Sequence, residues 1–93
     1  MYTVKEDNGN WVVDEQGEAC WYFFVADRVS GEKLAGFFNE PSNKKSLEAL
    51  RHEVGAEKAT LKLWLHGLRD KGVAVTTFAY KGTGILEKNN VLE

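Results

Sequence analysis

The chain is poor in the devices that staple or anchor a protein. Cys20 is its only cysteine, so no disulfide can close within it, and its place inside an apolar run reads as a buried thiol packing as a small hydrophobe. Pro41 is its only proline. The longest unbroken apolar run, Ala19 to Ala26, is far shorter than the roughly 20 residues needed to span a bilayer. No basic region followed by an apolar stretch opens the chain, which makes the cytoplasm the expected address and a membrane partner unexpected. No internal repeat or low-complexity tract is present. The only histidines, His52 and His66, lack a third ligand at helical spacing, so no metal is expected. No nucleophile stands near a base in any recognisable pattern, which argues against an enzyme and implies no cofactor. Lys81-Gly82-Thr83-Gly84 is too short for a phosphate loop, has no helix behind it, and reads as a hairpin turn.

What is present suits one small α+β domain. The 93 residues are 43% apolar, enough for a single modest core. Leu92-Glu93 resembles the scar of a cloning site before a purification tag, so the expected domain is 1–91. The net charge of −2 hides a division along the chain. Residues 1–43 carry three basic against eight acidic side chains, whereas residues 44–72 carry seven basic against four acidic ones. Such asymmetry suggests an anionic partner for the basic segment, or an intramolecular complement between the halves.

Taken in order, Met1 to Glu6 is a short strand and Asp7-Asn8-Gly9-Asn10 a turn. Trp11 to Val13 restarts an extended segment, and Asp14 to Gly17 turns into the most apolar strand, Ala19 to Asp27. Both faces of that strand are apolar, which marks it as the central one. Arg28-Val29-Ser30-Gly31 reads as a second turn and Glu32 to Asn39 as a returning strand, giving an N-terminal three-stranded antiparallel meander. Pro41 with Ser42 and Asn43 then announces a helix over 43–54, in which Leu47, Leu50 and Val54 share a face and Gly55 supplies a left-handed stop. Val73 to Tyr80 is β-branched and aromatic, hence a strand, and Ile85 to Lys88 can pair back with it as a C-terminal hairpin.

The segment 57–71 admits two readings. As a strand, Ala59, Leu61, Leu63 and Leu65 alternate with Thr60, Lys62, Trp64 and His66. As a helix, Leu61, Trp64, Leu65 and Leu68 form one stripe. Its length, its Ala, Glu, Lys, Leu and Arg content, and a basic last turn followed by Gly72 favour the helix. Val73 is then placed to touch the last turn.

With that helix in place, a helix ending at Val54-Gly55, then Ala59-Thr60-Leu61 and Trp64-Leu65-His66-Gly67-Leu68, resembles the helix-turn-helix of bacterial and phage DNA-binding proteins. The trailing Leu68 to Val73 and the Lys81 to Gly84 turn resemble the exit and wing of a winged helix. The resemblance covers residues 47–73, or to 88 with the wing. It implies a second helix lying in the major groove, with Lys58, Thr60 and Lys62 nearest the bases and Arg69, Lys71, Lys44, Lys45 and Lys81 on phosphates.

Helix geometry adds an independent feature. At about 100° per residue, Lys58, Lys62, His66 and Arg69 fall within about 80° of one another, away from the apolar stripe. Like charges at i, i+4 cost a few tenths of a kcal/mol, and a purely solvated face more often mixes signs. The sequence thus points to a non-enzymatic DNA-binding or regulatory module using a basic helix face. Its competitor is a protein-interaction module whose acidic sheet face displays Trp11 and Phe37. Trp11, Trp21 and Trp64 could stack bases if exposed, although Trp21 reads as core.

Overall fold

A computed structural model describes residues 1–15, 20–50, 53–81 and 88–90. Strand β1 (Tyr2–Asp7) turns tightly into β2 (Asn10–Glu15). Asn8 and Gly9, at φ 52° and 81°, form the two-residue loop whose left-handed residues match the twist of a hairpin. Asp7 closes against Asn10, and Val4 faces Val13. Strand β3 (Cys20–Val25) pairs antiparallel with β2, setting Val13 beside Phe23. After three helices, β4 (Val75–Lys81) lies on the other side of β3, and a short β5 (Lys88–Asn90) extends the edge. The order is β1-β2-β3-β4-β5, antiparallel throughout, with the expected apolar strand at the centre. Between Val25 and Phe24 the register of β4 slips past Thr76, whose hydroxyl donates to the Phe24 carbonyl at 3.2 Å.

The expected returning strand at 32–39 is instead a helix, α1 (Arg28–Asn39). The supposed turn before it is the helix's first turn. The Asp27 carboxylate accepts the Ser30 amide at 2.7 Å, as an N-cap does. Ser30, Gly31, Leu34, Ala35 and Phe38 make the buried stripe, a helical spacing that Gly31 and Gly36 disguise by weakening the local helical signal. Gly31 is there for closeness: a Cβ on it would stand 2.8 Å from Val4 Cγ1 and 3.4 Å from Val25 Cγ2. The helix is also tied at both ends. Ser30 Oγ accepts the Ala74 amide at 3.0 Å, and the Asn39 side chain accepts from the Tyr2 amide at 2.7 Å while donating to the Tyr2 carbonyl at 3.0 Å.

Helix α2 (Pro41–Glu48) carries Pro41 in its first turn, where a missing N–H costs nothing. It therefore starts before the expected 43 and stops well short of 54. Asn43, expected as a cap before a helix, lies within α2 and donates from Nδ2 to the Phe37 carbonyl at 3.0 Å. The same carbonyl, at the end of α1, also accepts the Glu40 amide at 3.3 Å. Gly55 is not a left-handed stop: it is the second residue of α3 (Val54–Arg69), and only Gly9 and Gly72 among the described glycines have positive φ.

The end of α3 follows the sequence reading. Gly72 takes φ 85°, its amide donates to Arg69 O at 3.1 Å and the Val73 amide to Leu68 O at 3.1 Å. That pair of bonds is the Schellman stop, with Val73 and Leu68 as its apolar contact residues, and both are buried.

One core joins the inner face of the sheet to α1 and α3. Phe23 stacks on Phe38 with ring centroids 4.8 Å apart, and Trp21 lies 5.7 Å from Phe78. Leu34, Leu61 and Leu65 are fully buried in the same cluster, each contributing about 1.5–3 kcal/mol by leaving water. The rotation of α3 is fixed by a polar contact as well, since Trp21 Nε1 donates to Glu57 Oε2 at 2.7 Å with both side chains buried. The expected turn residues 82–84, most of the expected last strand at 85–88, and His52 lie outside the described residues. No described helix is long and apolar enough to cross a membrane.

Three outcomes are expected of this packing. Gly31→Ala should destabilise by about 1–3 kcal/mol through overpacking against Val4, whereas Gly36→Ala, with nothing within 4 Å of its added methyl, should stabilise by up to about 1 kcal/mol; urea denaturation separates the two. Trp21→Phe, which removes the donor to buried Glu57, should cost about 1–3 kcal/mol more than its lost packing, and a Trp21→Phe/Glu57→Leu pair should recover part of that loss. The third concerns acid. The Ser30 amide and hydroxyl, with the nearby Lys33 charge, hold the Asp27 carboxyl below its usual value of 3.8, against a smaller opposing effect of burial. A carboxylate lowered on folding stabilises fully above its unfolded pKa and loses that contribution as pH falls through the folded value. The melting temperature of Asp27→Asn should therefore lie below wild type at pH 7 and converge with it below pH about 3.8.

Candidate functional site

Helix α3 runs unbroken from Val54 to Arg69, so the condition for Lys58, Lys62, His66 and Arg69 to share a face is met. Its inward side is Glu57, Leu61, Leu65 and Leu68, all buried. The basic residues occupy one shoulder beside that stripe: Lys58 and Lys62 are half-buried, His66 and Arg69 exposed. Partial burial of a lysine covers its methylene stem before its ammonium. At 1.5 Å per residue the row extends over about 16 Å from Lys58 to Arg69.

The ion pairs of the first half are made within the first half. Among the described residues the ion pairs are the N-terminal amine with Glu15 at 3.7 Å, Lys5 with Asp14 at 3.1 Å and Arg28 with Glu32 at 3.0 Å. Tyr22 Oη donates to Asp7 Oδ2 at 3.0 Å. None of these carboxylates serves α3, and Lys58, His66 and Arg69 enter no ion pair among the described residues. Of the acids on α3, Glu57 is turned inward to Trp21. Asp70, at the C-cap directly after Arg69 and four residues after His66, is the exposed acid beside the row in sequence.

Not every residue expected at the interface is in the row. Thr60 stands two positions from Lys62, about 160° around the helix, half-buried on the opposite shoulder. Lys71 lies past the helix in the closing turn and lines a shallow groove of about 340 Å³ with Lys33, Gly36, Phe37, Glu40, Leu68 and Val73. Lys44 and Lys45 are on α2, the former half-buried. Lys81 ends β4 and its side chain lies outside the described residues. The turn glycine of the helix-turn-helix resemblance is inside α3, so the expected turn does not fall at Gly55. Trp64, in the Trp-Leu pair of that resemblance, packs edge-on to Phe37 at 5.6 Å.

The acidic aromatic patch expected on the sheet is not assembled. Phe37 belongs to α1 and packs on Phe38 and Trp64, while Trp11 packs against the core. On the sheet face opposite the helices, Tyr22 and Phe24 meet edge-on at 5.3 Å and Lys5 Nζ stands 5.6 Å from the Tyr22 ring centre. Asp14 and Asp7 are already engaged there.

One feature of α3 escaped the sequence reading. Beyond the basic row its outward surface is Gly55, Ala59, Leu63 and Gly67, every one exposed, with Leu63 75% accessible. The same 100° arithmetic, applied to the positions opposite Leu61 and Leu65, would have found it. No protein-family model, curated protein or solved structure matches this chain.

Proposed function

We propose that this chain is a small, non-enzymatic nucleic-acid-binding module that presents the basic shoulder of α3 to DNA. The supporting observation is the row Lys58, Lys62, His66 and Arg69 on one continuous helix, while the first-half acids Asp14, Glu15 and Glu32 are ion-paired within the first half. A net charge of −2 does not oppose this. Charges farther apart than a Debye length, about 8 Å at physiological salt, are largely screened, and the local row dominates at contact. The competing reading, a protein-docking module using the acidic aromatic sheet, loses the pairing of Trp11 with Phe37 on which it was built.

The interface is smaller than the sequence suggested, because Thr60 and Lys71 stand outside the row. With Lys58, Lys62 and Arg69 each neutralising one phosphate, log affinity should fall against log salt with a slope of about −2.7. Fluorescence anisotropy on a labelled duplex measures it. Lys58→Ala and Arg69→Ala should each lower the slope by about 0.9 without moving the melting temperature, and Lys45→Ala should leave it unchanged. No binding at low salt, or binding insensitive to both row variants, removes the proposal.

A further inference from the structure

Resting on that reading of α3, we infer that the partner is double-helical DNA gripped through its phosphates alone, with no base sequence preferred. Direct readout needs side chains that hydrogen-bond base edges, of the kind supplied by Arg, Lys, Asn, Gln, Ser and Thr, in addition to those engaged on the backbone. Among the described residues, the outward surface of α3 next to the row offers none of these. Gly55, Ala59 and Gly67 have no side-chain polar atom, Leu63 projects only methyl groups, and all four are exposed. Thr60, the one hydroxyl residue of α3, is half-buried on the far shoulder. Arg69 has a fork that could address guanine, but it stands on the last turn at the end of the row, followed by the carboxylate of Asp70.

The same surface also distinguishes duplex from single strand. Proteins that hold single strands add aromatic platforms on which the bases stack, and α3 has no such platform beside its cations. Its one aromatic residue, Trp64, is on the other shoulder and packs on Phe37 and Phe38. Trp21 is 3% exposed and hydrogen-bonded to Glu57. What remains is a row of three cations and a histidine with steps of about 6, 6 and 4.5 Å along the helix axis, set beside a surface in which Gly55, Ala59 and Gly67 are small and Leu63 alone projects.

The test is a panel of labelled duplexes of equal length and unrelated sequence, together with the single strands that compose them, titrated at one low salt concentration. The inference expects duplex affinities within about threefold of one another, single strands weaker than every duplex, and a Lys58→Ala variant that weakens all duplexes by the same factor. Discrimination of tenfold or more among duplexes overturns it, as does tighter binding of a single strand. In either case the variant still weakens binding, so the basic-shoulder reading stands. Failure to bind any member of the panel overturns both, and the unchanged melting temperature of the variant excludes misfolding as the reason for a loss.

Discussion

The hydrogen bond from the Trp21 indole to the buried Glu57 carboxylate governs how the molecule presents itself. Three leucines on one side of a helix tolerate some rotation against a sheet, because apolar contact has little direction. A 2.7 Å bond between two buried polar groups does not, since any roll of α3 that breaks it leaves a carboxylate in the core without its donor. The bond therefore sets which residues of α3 face out. It also joins the first turn of α3 to the central strand, at the end of the sheet where Trp21 pairs with Tyr80. Leu68 and Val73, held by the Schellman stop, fix the other end.

Between those fixed points the charge pattern becomes intelligible. Asp7, Asp14, Glu15 and Glu32 are engaged in local contacts on β1, β2, β3 and α1 and not with the helix that follows. A division that in the sequence could have meant mutual compensation shows, among the described residues, no ion pair between the acids of the first half and Lys58, His66 or Arg69 of the basic shoulder. The one inward acid of α3 contributes to position, and Lys58 and Arg69 enter no ion pair among the described residues.

Much of this was legible where a single residue type enforces a local conformation. Asn8-Gly9 turns as such a pair must, Gly72 with Val73 ends its helix, and a strand apolar on both faces lies in the middle of the sheet. Reading failed where glycine served two purposes. Gly31 lies in a helix because α1 presses against Val4 and Val25, and nothing within its neighbours distinguishes that closeness from a turn. Gly55 sits near the start of α3 with open space around it and looks in sequence like a stop. The basic row was recoverable from periodicity alone, whereas Thr60, named by analogy with a motif, lies half-buried on the opposite shoulder of α3. The contact between Trp21 and Glu57 spans 36 positions, and no local pattern encodes it.

Asn39 shows how the remaining exposed edge is managed. Strand β1 borders the sheet, and a bordering strand ordinarily offers its outward amides and carbonyls to any extended chain that drifts past. The Asn39 side chain occupies both groups of Tyr2 with a primary amide, which has the same donor and acceptor as a peptide bond. In effect it is a one-residue sixth strand that cannot be continued, because a side chain has no next residue. Farther along β1, the side chains of Lys5, Glu6 and Asp7 are exposed and charged. Growth of the sheet past β1 by addition of a like chain is thus stopped at its first rung.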